Sequence, residues 1–348
     1  MASNPGDVIQ KPGGRLQAVE VESGEDTQIL ACKVVSFRDM STHQINRLLQ
    51  EVALLKMLNH PNIVQYYDHF VDKNKEFYIV MEYCEHGDLS HLIKHAIKKG
   101  NSIEEEFIFQ VLEQLASALK HCHSRPDGSV VLHQDLKPAN VFLHQNLTVK
   151  LGDFGLAEIL PTKYHFAHSK VGSRPYMSPE KTNGKVYKEK SDIWSLGCLI
   201  YYLCALKHPF AAGGAKKMTD NINSGEHKRI PSRYSDKLDS LIRDMLQIRE
   251  DLRPSAEDIL HRCLQTDVAD DEMEKSHDPV HHLPPPMPPA DVRPNEEELQ
   301  KPQKRTWKLD RKRKLESDHG HQPKRRWKVW EADTLNFRLK PKVPSMCQ

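Results

Sequence analysis

Apolar residues alternate or run in short bursts in RLQAVEV (15–21) and ILACKVVS (29–36), and the polar ESGEDTQ lies between them, so two strands joined by a turn are predicted. The period then changes. Ile45, Leu48, Leu49, Val52 and Leu55 recur at helical spacing, which predicts a helix over 42–58. NIVQYYDHFV (62–71) and EFYIVMEY (76–83) return to strand-like patterning. From about residue 85 the pattern is helical. Ser102 and Glu105 fit a capping box ahead of FIFQVLEQLASALKHCH (107–123), in which Ile108, Val111, Leu112, Leu115 and Leu119 share one face. Short apolar runs VFL and VKL flank the polar turn HQNLT. SDIWSLGCLIYYLCAL (191–206) is apolar on most sides, the pattern of a buried central helix. A small strand-rich part therefore precedes a larger helical one, and the chain reads as α+β.

The two ends read differently. MASNPGDVIQKPGG (1–14) carries two Pro and three Gly without alternation and predicts no regular element. Ordered structure is expected to stop near residue 265. An acidic, proline-rich linker follows over 266–300, with HHLPPPMPPADVRP reading as an extended polyproline spacer. A basic segment, 301–348, is expected to be disordered. The 348 residues carry a net charge of only +2, yet residues 301–330 hold 12 Lys/Arg against 3 Asp/Glu, so the basic character belongs to this tail. RKRK (311–314) and PKRR (323–326) suit a bipartite nuclear-import signal read by an import receptor. Contact with nucleic acid across 304–328 is the alternative, with Trp307, Trp327 and Trp330 available to stack on bases, and so is a solvated tail without a partner. No apolar run reaches membrane-spanning length, and no heptad pattern predicts a coiled-coil dimer. The seven cysteines form no CxxC pair, which fits a reducing compartment. HCH at 121–123 is expected to be a helix end, since adjacent helical side chains diverge too far for a closed zinc site.

The chemistry concentrates in VLHQDLKPANVFL (131–143). Asp135 precedes Asn140 by five residues, and Asp153-Phe154-Gly155 begins 13 after Asn140. MSPE (177–180), DIWSLG (192–197) and LRPS (252–255) follow in order. A chance HxD triplet is common, but this ordered series resembles the protein-kinase signature. That resemblance implies a bilobal protein-kinase fold, with an N-lobe over 15–82 and a C-lobe over 85–265. It implies transfer of the ATP γ-phosphate to protein Ser/Thr hydroxyls, with Mg²⁺. Asp135 would take or orient the proton of the accepting hydroxyl, and Lys137 would steady the γ-phosphate. Asn140 and Asp153 would hold the metal. Lys33 would meet the α- and β-phosphates, presented by Glu51 on the next helix, 18 residues on. Ala31, Met81 as gatekeeper, Glu82, Cys84 and Phe142 would enclose adenine. Glu180 is expected to pair with Arg253, and Asp192 to brace the catalytic loop.

The stretches HPNIVQYYD, YIVMEYCEHGDL, LKPANVFL, VKLGDFGLAEIL, PYMSPE, EKSDIWSLGCLIYYLCAL, IPSRYSDKL and RPSAEDIL resemble the NIMA-related Ser/Thr kinases, nearest their centrosomal and mitotic branch. The match runs from about residue 29 to 262. It implies protein substrates, cell-cycle roles, and a place in the cytoplasm or nucleus or at the centrosome. The chain departs from the family in several places. Gln134 replaces an Arg that commonly binds a phosphate on the activation loop. Glu158 also replaces an Arg, and Ser169 stands where the family has a phosphorylatable Thr. Ser173 keeps the hydroxyl that meets the catalytic Asp and Lys. Of the glycine-rich loop over the ATP phosphates only Gly13 and Gly14 remain, so the N-lobe is expected to be truncated at its first strand, leaving the next strand as an open sheet edge. A pseudokinase scaffold with little or no catalysis is therefore the alternative reading.

Overall fold

The computed structural model describes residues 9–11, 14–23, 26–38, 40–73, 75–162, 166–168 and 171–264. Ser169, the linker, both basic clusters and the three tail tryptophans lie outside these residues.

Among the described residues the N-terminal part is an antiparallel sheet in the order β1-β2-β3-β5-β4. Its strands are β1 (Ile9–Lys11), β2 (Gly14–Ser23), β3 (Asp26–Ser36), β4 (Tyr66–Val71) and β5 (Glu76–Glu82). Helix α1 (Thr42–Met57) connects β3 to β4. The pattern of the first 36 residues needs two corrections. A three-residue strand forms inside the segment expected to be irregular, pairing Ile9 with Leu16 and Lys11 with Gly14. The turn between β2 and β3 shrinks from the seven residues of ESGEDTQ to the two between Ser23 and Asp26. Both changes have one cause. Backbone pairing along a sheet edge extends strands wherever no side chain objects, and that gain leaves no trace in side-chain alternation. The open edge expected on β2 is thus covered over Gly14–Leu16.

Helix α1 is started by a capping box that the sequence reading missed: the Ser41 hydroxyl accepts from the Gln44 N–H at 3.3 Å, and the Gln44 side chain accepts from the Ser41 N–H at 2.8 Å. Leu48, Val52 and Leu55 turn one face of α1 into the core, and Glu51 on the same helix is also buried.

The helical part consists of α2 (Leu89–Lys99), α3 (Glu105–His123), α4 (Pro179–Thr182), α5 (Lys190–Ala205), α6 (Ala215–Ser224), α7 (Asp236–Met245) and α8 (Ala256–Leu264). It also holds two small antiparallel pairs, β7 (Val141–Leu143) with β8 (Val149–Leu151), and β6 (Val130–Leu132) with β9 (Glu158–Leu160). The capping box expected at Ser102 is not formed. Glu104 is the N-cap of α3, and among the described residues no side chain caps it. The one-sided apolar face of α3 is buried as its period requires, and α5 is buried from Ser191 through Tyr201. The described chain ends with α8 at Leu264.

No described helix is long and apolar enough to cross a membrane.

Candidate active site

Strand β3 and helix α1 bring the first charged pair together. Lys33 sits in the middle of β3, opposite Ile79 of β5, with its ammonium 2.6 Å from the Glu51 carboxylate and 3.2 Å from that of Asp153. Burial pulls the Lys33 pKa down, but the two carboxylates outweigh it and hold it above the ordinary lysine value. The ammonium is therefore fixed as a cation, aimed by two elements distant in sequence. Ala31 and Met81 are register partners across β3 and β5. Phe142 lies on β7, in contact range of any side chain placed at Gly152: a Cβ there would come within 2.9 Å of its ring. Glycine at 152 thus permits the close approach. The Glu82 side chain pairs with Lys150 at 2.8 Å and accepts from the Gln65 N–H at 3.1 Å, which ties the end of β5 to β8. Cys84 follows β5, half-buried, and burial raises its thiol pKa to about 12.

The catalytic-loop residues are held by a denser network. Asp192, buried in α5, accepts from the N–H groups of His133 and Gln134, each at 2.9 Å, and from His123 Nε2 at 3.0 Å. Burial alone would raise its pKa, but His123 and His133 pull it below the ordinary value. The His133 ring joins two segments. Its Nδ1 accepts from the Asp135 N–H at 3.3 Å, so its Nε2 carries the proton and donates to the Gly152 carbonyl at 3.1 Å. The same ring meets Phe154 edge-on, with centroids 4.9 Å apart, and Phe154 is buried.

Asp135 is positioned from three sides. Its Oδ1 accepts from both the N–H and the hydroxyl of Ser173, each at 2.9 Å. Its Oδ2 accepts from Lys137 and, at 3.1 Å, from Asn140 Nδ2. Lys137 also donates to the Ser173 hydroxyl at 3.0 Å. Asn140 spends its Nδ2 on Asp135, on the backbone carbonyl at 2.9 Å as well as the carboxylate. Its amide oxygen is thereby directed away from Asp135. The Gly152 N–H donates to the Asn140 carbonyl at 2.9 Å, which keeps Asp153 next to Asn140. One amide oxygen and one carboxylate at neighbouring positions are the hard-oxygen donors that Mg²⁺ takes, so the residues present fit that ion.

Gln134 has φ +67, an unusual backbone for a non-glycine residue, and Asp192 accepts from the N–H of the peptide that leads into it. Its side chain bridges two elements: the amide nitrogen donates to Glu158 on β9 at 2.8 Å, and the amide oxygen accepts from the Tyr187 hydroxyl at 2.6 Å. The Gln134–Glu158 contact joins two positions that the sequence reading treated as separate departures. Tyr187 was missed. A tyrosine in a polar loop carries no periodic signal, and its burial with Val130, Leu132 and Leu160 is a tertiary fact. Farther from the loop, Arg253 is buried and donates twice to Glu180, at 2.7 and 2.8 Å, as expected. His121, in the HCH stretch, meets His60 with the rings tilted at 31° and centroids 5.1 Å apart, while His123 is engaged with Asp192.

The description "Protein kinase domain" matches residues 13–264. The chain is 49% identical over 265 residues to serine/threonine-protein kinase Nek2 of Homo sapiens, covering 76% of this chain and 59% of that protein. It is 42% identical over 242 residues to the probable serine/threonine-protein kinase nek2 of Dictyostelium discoideum, covering 69% of this chain and 57% of the relative. It is 35% identical over 266 residues to G2-specific protein kinase nimA of Emericella nidulans, covering 70% and 38%. The chain thus spans about three fifths of the length of the Nek2 proteins it matches.

Proposed function

The chain belongs to the protein kinases, among their NIMA-related members, and on that premise we propose that it transfers the γ-phosphoryl group of ATP to serine and threonine hydroxyls of proteins. The observation that carries this reading is the junction at Lys33, where β3, α1 and the segment of Asp153 meet within 3.2 Å. Phosphoryl transfer needs little covalent chemistry from the protein. It needs the phosphates neutralised and the accepting hydroxyl aimed. Lys33, fixed as a cation, would meet the α- and β-phosphates. Asn140 and Asp153 would hold Mg²⁺, which supplies further neutralising charge on the phosphates. Asp135 would accept the proton of the attacking hydroxyl as its oxygen bonds to phosphorus and the bond to the β-phosphate oxygen breaks. Lys137 would steady the γ-phosphate, and Ser173 would keep Asp135 oriented. Ala31, Met81, Phe142 and the backbone of Glu82 and Cys84 would enclose the adenine.

Gln134 and Glu158 shape the regulation. In a relative with arginine at both positions, an activation-loop phosphate would find two cations. Here the pair offers an amide and a carboxylate, already bonded to each other. Activity would then not depend on a phosphate at Ser169. The G2-specific name of the nimA relative supports a cell-cycle substrate set, and the cytoplasmic, nuclear or centrosomal setting rests on the family resemblance. The tail's basic clusters remain candidates for an import receptor or nucleic acid.

One observation favours the second reading, a pseudokinase scaffold: only two residues separate β1 from β2, which leaves little backbone to cover the ATP phosphates. The deciding test is phosphate transfer from Mg²⁺-ATP to a generic Ser/Thr substrate by the full chain, with Asp153→Ala alongside. Transfer that disappears in the variant supports the kinase. A folded protein without transfer supports the scaffold.

A further inference from the structure

Lys181 has no place in the mechanism above, and nothing in its sequence context marks it. It lies in α4, directly after Glu180, and it is 3% exposed. A buried lysine is unusual unless its charge is used. Its ammonium donates to the backbone carbonyl of Gln134 at 3.3 Å and stands 4.7 Å from the centroid of the Tyr187 ring. That carbonyl belongs to the peptide whose N–H is that of Asp135, and this N–H is bonded to His133 Nδ1. A cation on the carbonyl therefore orients the peptide plane leading into Asp135. Gly172 crowds the same carbonyl: its φ is +112, and a Cβ there would fall 2.6 Å from the oxygen and 3.7 Å from the Lys181 ammonium. The charged groups around Lys181 are the carboxylates of Asp192 on α5, Asp135 on the catalytic loop, Glu180 on its own helix and Glu158 on β9.

We infer that Lys181 is a positioning residue for the catalytic loop, supplying from α4 the cation that Gln134 does not bring. The usual arginine would place a positive charge inside this ring of carboxylates from the loop itself. With glutamine there, Lys137 is the loop's one Lys or Arg and is committed to Asp135 and Ser173, so a second cation for the carboxylates and for the Gln134 carbonyl must come from outside the loop. Lys181 fills both needs. Burial lowers its pKa, and the four carboxylates oppose that change. The cation–π contact with Tyr187, whose hydroxyl is bonded to the Gln134 side chain, joins the lysine to the same network. The inference rests on the kinase reading for its effect on rate, but not for its effect on the fold.

The experiment is a double-variant cycle in the full chain: Lys181→Gln, Gln134→Arg and the two combined, with Lys181→Met as an apolar control. Denaturation is followed without nucleotide, and transfer is measured with kcat and the KM for ATP separated. If Lys181 stands in for the cation that position 134 would otherwise bring, each single variant is destabilised, Gln134→Arg by setting a further cation beside Lys181, and the combination recovers most of the loss. For transfer, Lys181→Met lowers kcat at least tenfold with the KM for ATP within about twofold, and the combined variant regains rate over Lys181→Gln. Additive losses in stability overturn the inference, whether or not the protein transfers phosphate. So does an unchanged kcat in Lys181→Met when the parent is active. Absence of transfer by the parent overturns the kinase reading alone, and the stability cycle then decides the role of Lys181.

Discussion

The two halves of the proposed site are held in different ways. On the sheet side, Lys33 is fixed by two carboxylates, one of them on α1. On the helical side, Asp135 receives bonds from Ser173, Lys137 and Asn140, and its loop is bonded to α5 through Asp192. Arg253 shows the same excess of restraint. Its guanidinium donates to Glu180 and to the carbonyls of Lys190, Gln247 and Ile248, and it lies over Trp194. One half is therefore set by a contact between elements, which a change of partner or ligand can shift. The other is over-determined, so that removing one bond leaves the rest in place. A control that acts on the sheet side needs to break the Lys33–Glu51 ion pair and shift the packing of α1. A control that acts on the catalytic loop must overcome many bonds at once.

The sharpest way to separate chemistry from restraint is Asp135→Asn. The amide oxygen can keep both Ser173 bonds while those from Lys137 and Asn140 to Oδ2 are lost, so a modest loss of stability accompanies a fall in kcat of roughly 10³-fold, read by steady-state transfer alongside thermal unfolding. On the sheet side, Lys33→Met should cost about 10²–10³ in kcat. It leaves Glu51 buried without its cation, so Lys33→Met with Glu51→Gln should be the more stable of the two; an equal or lower melting temperature for the pair would contradict the ion-pair account. Arg253→Met breaks the comparison from the opposite direction. It touches no proposed catalytic group, yet leaves Glu180 unpaired in the interior, and should destabilise by about 3–5 kcal/mol in denaturant titration.

Acid exposes the same pair more gently. Burial raises the Glu180 pKa, but the bonds and charge of Arg253 hold it, on balance, below the ordinary 4.5. A lowered carboxylate pKa contributes stability that is full above 4.5 and is lost as pH falls through the folded-state value. Unfolding measured below pH 4.5 should therefore steepen with acidity in the parent and flatten in Glu180→Gln. The smallest expected effect is that of Ser169→Ala, less than about twofold in kcat, because Gln134 offers a phosphate no charge. A larger loss would show that the activation segment depends on Ser169 after all.

The proposed catalytic groups were legible because phosphoryl transfer restricts residue type and order: Asp135, Lys137, Asn140 and Asp153 stand close together on one stretch of chain, and their spacing survives any packing. The adenine residues and Ser173 follow from the family resemblance. Gln134 was legible as a departure, but its amide bonds to Glu158 and Tyr187 were not, since they join loop, strand and a residue 53 positions later.

By itself the sequence determined the helices whose apolar period matches 3.6 residues, the α+β order of elements and the choice of groups proposed to react. Those are properties of neighbours along the chain. Only the tertiary structure decided the extent of the β1–β2–β3 edge, the true cap of α1, and the approach of Lys181 to the carbonyl of Gln134. Backbone pairing and buried charge depend on which distant groups share a low-dielectric space, and a linear pattern does not record that distance.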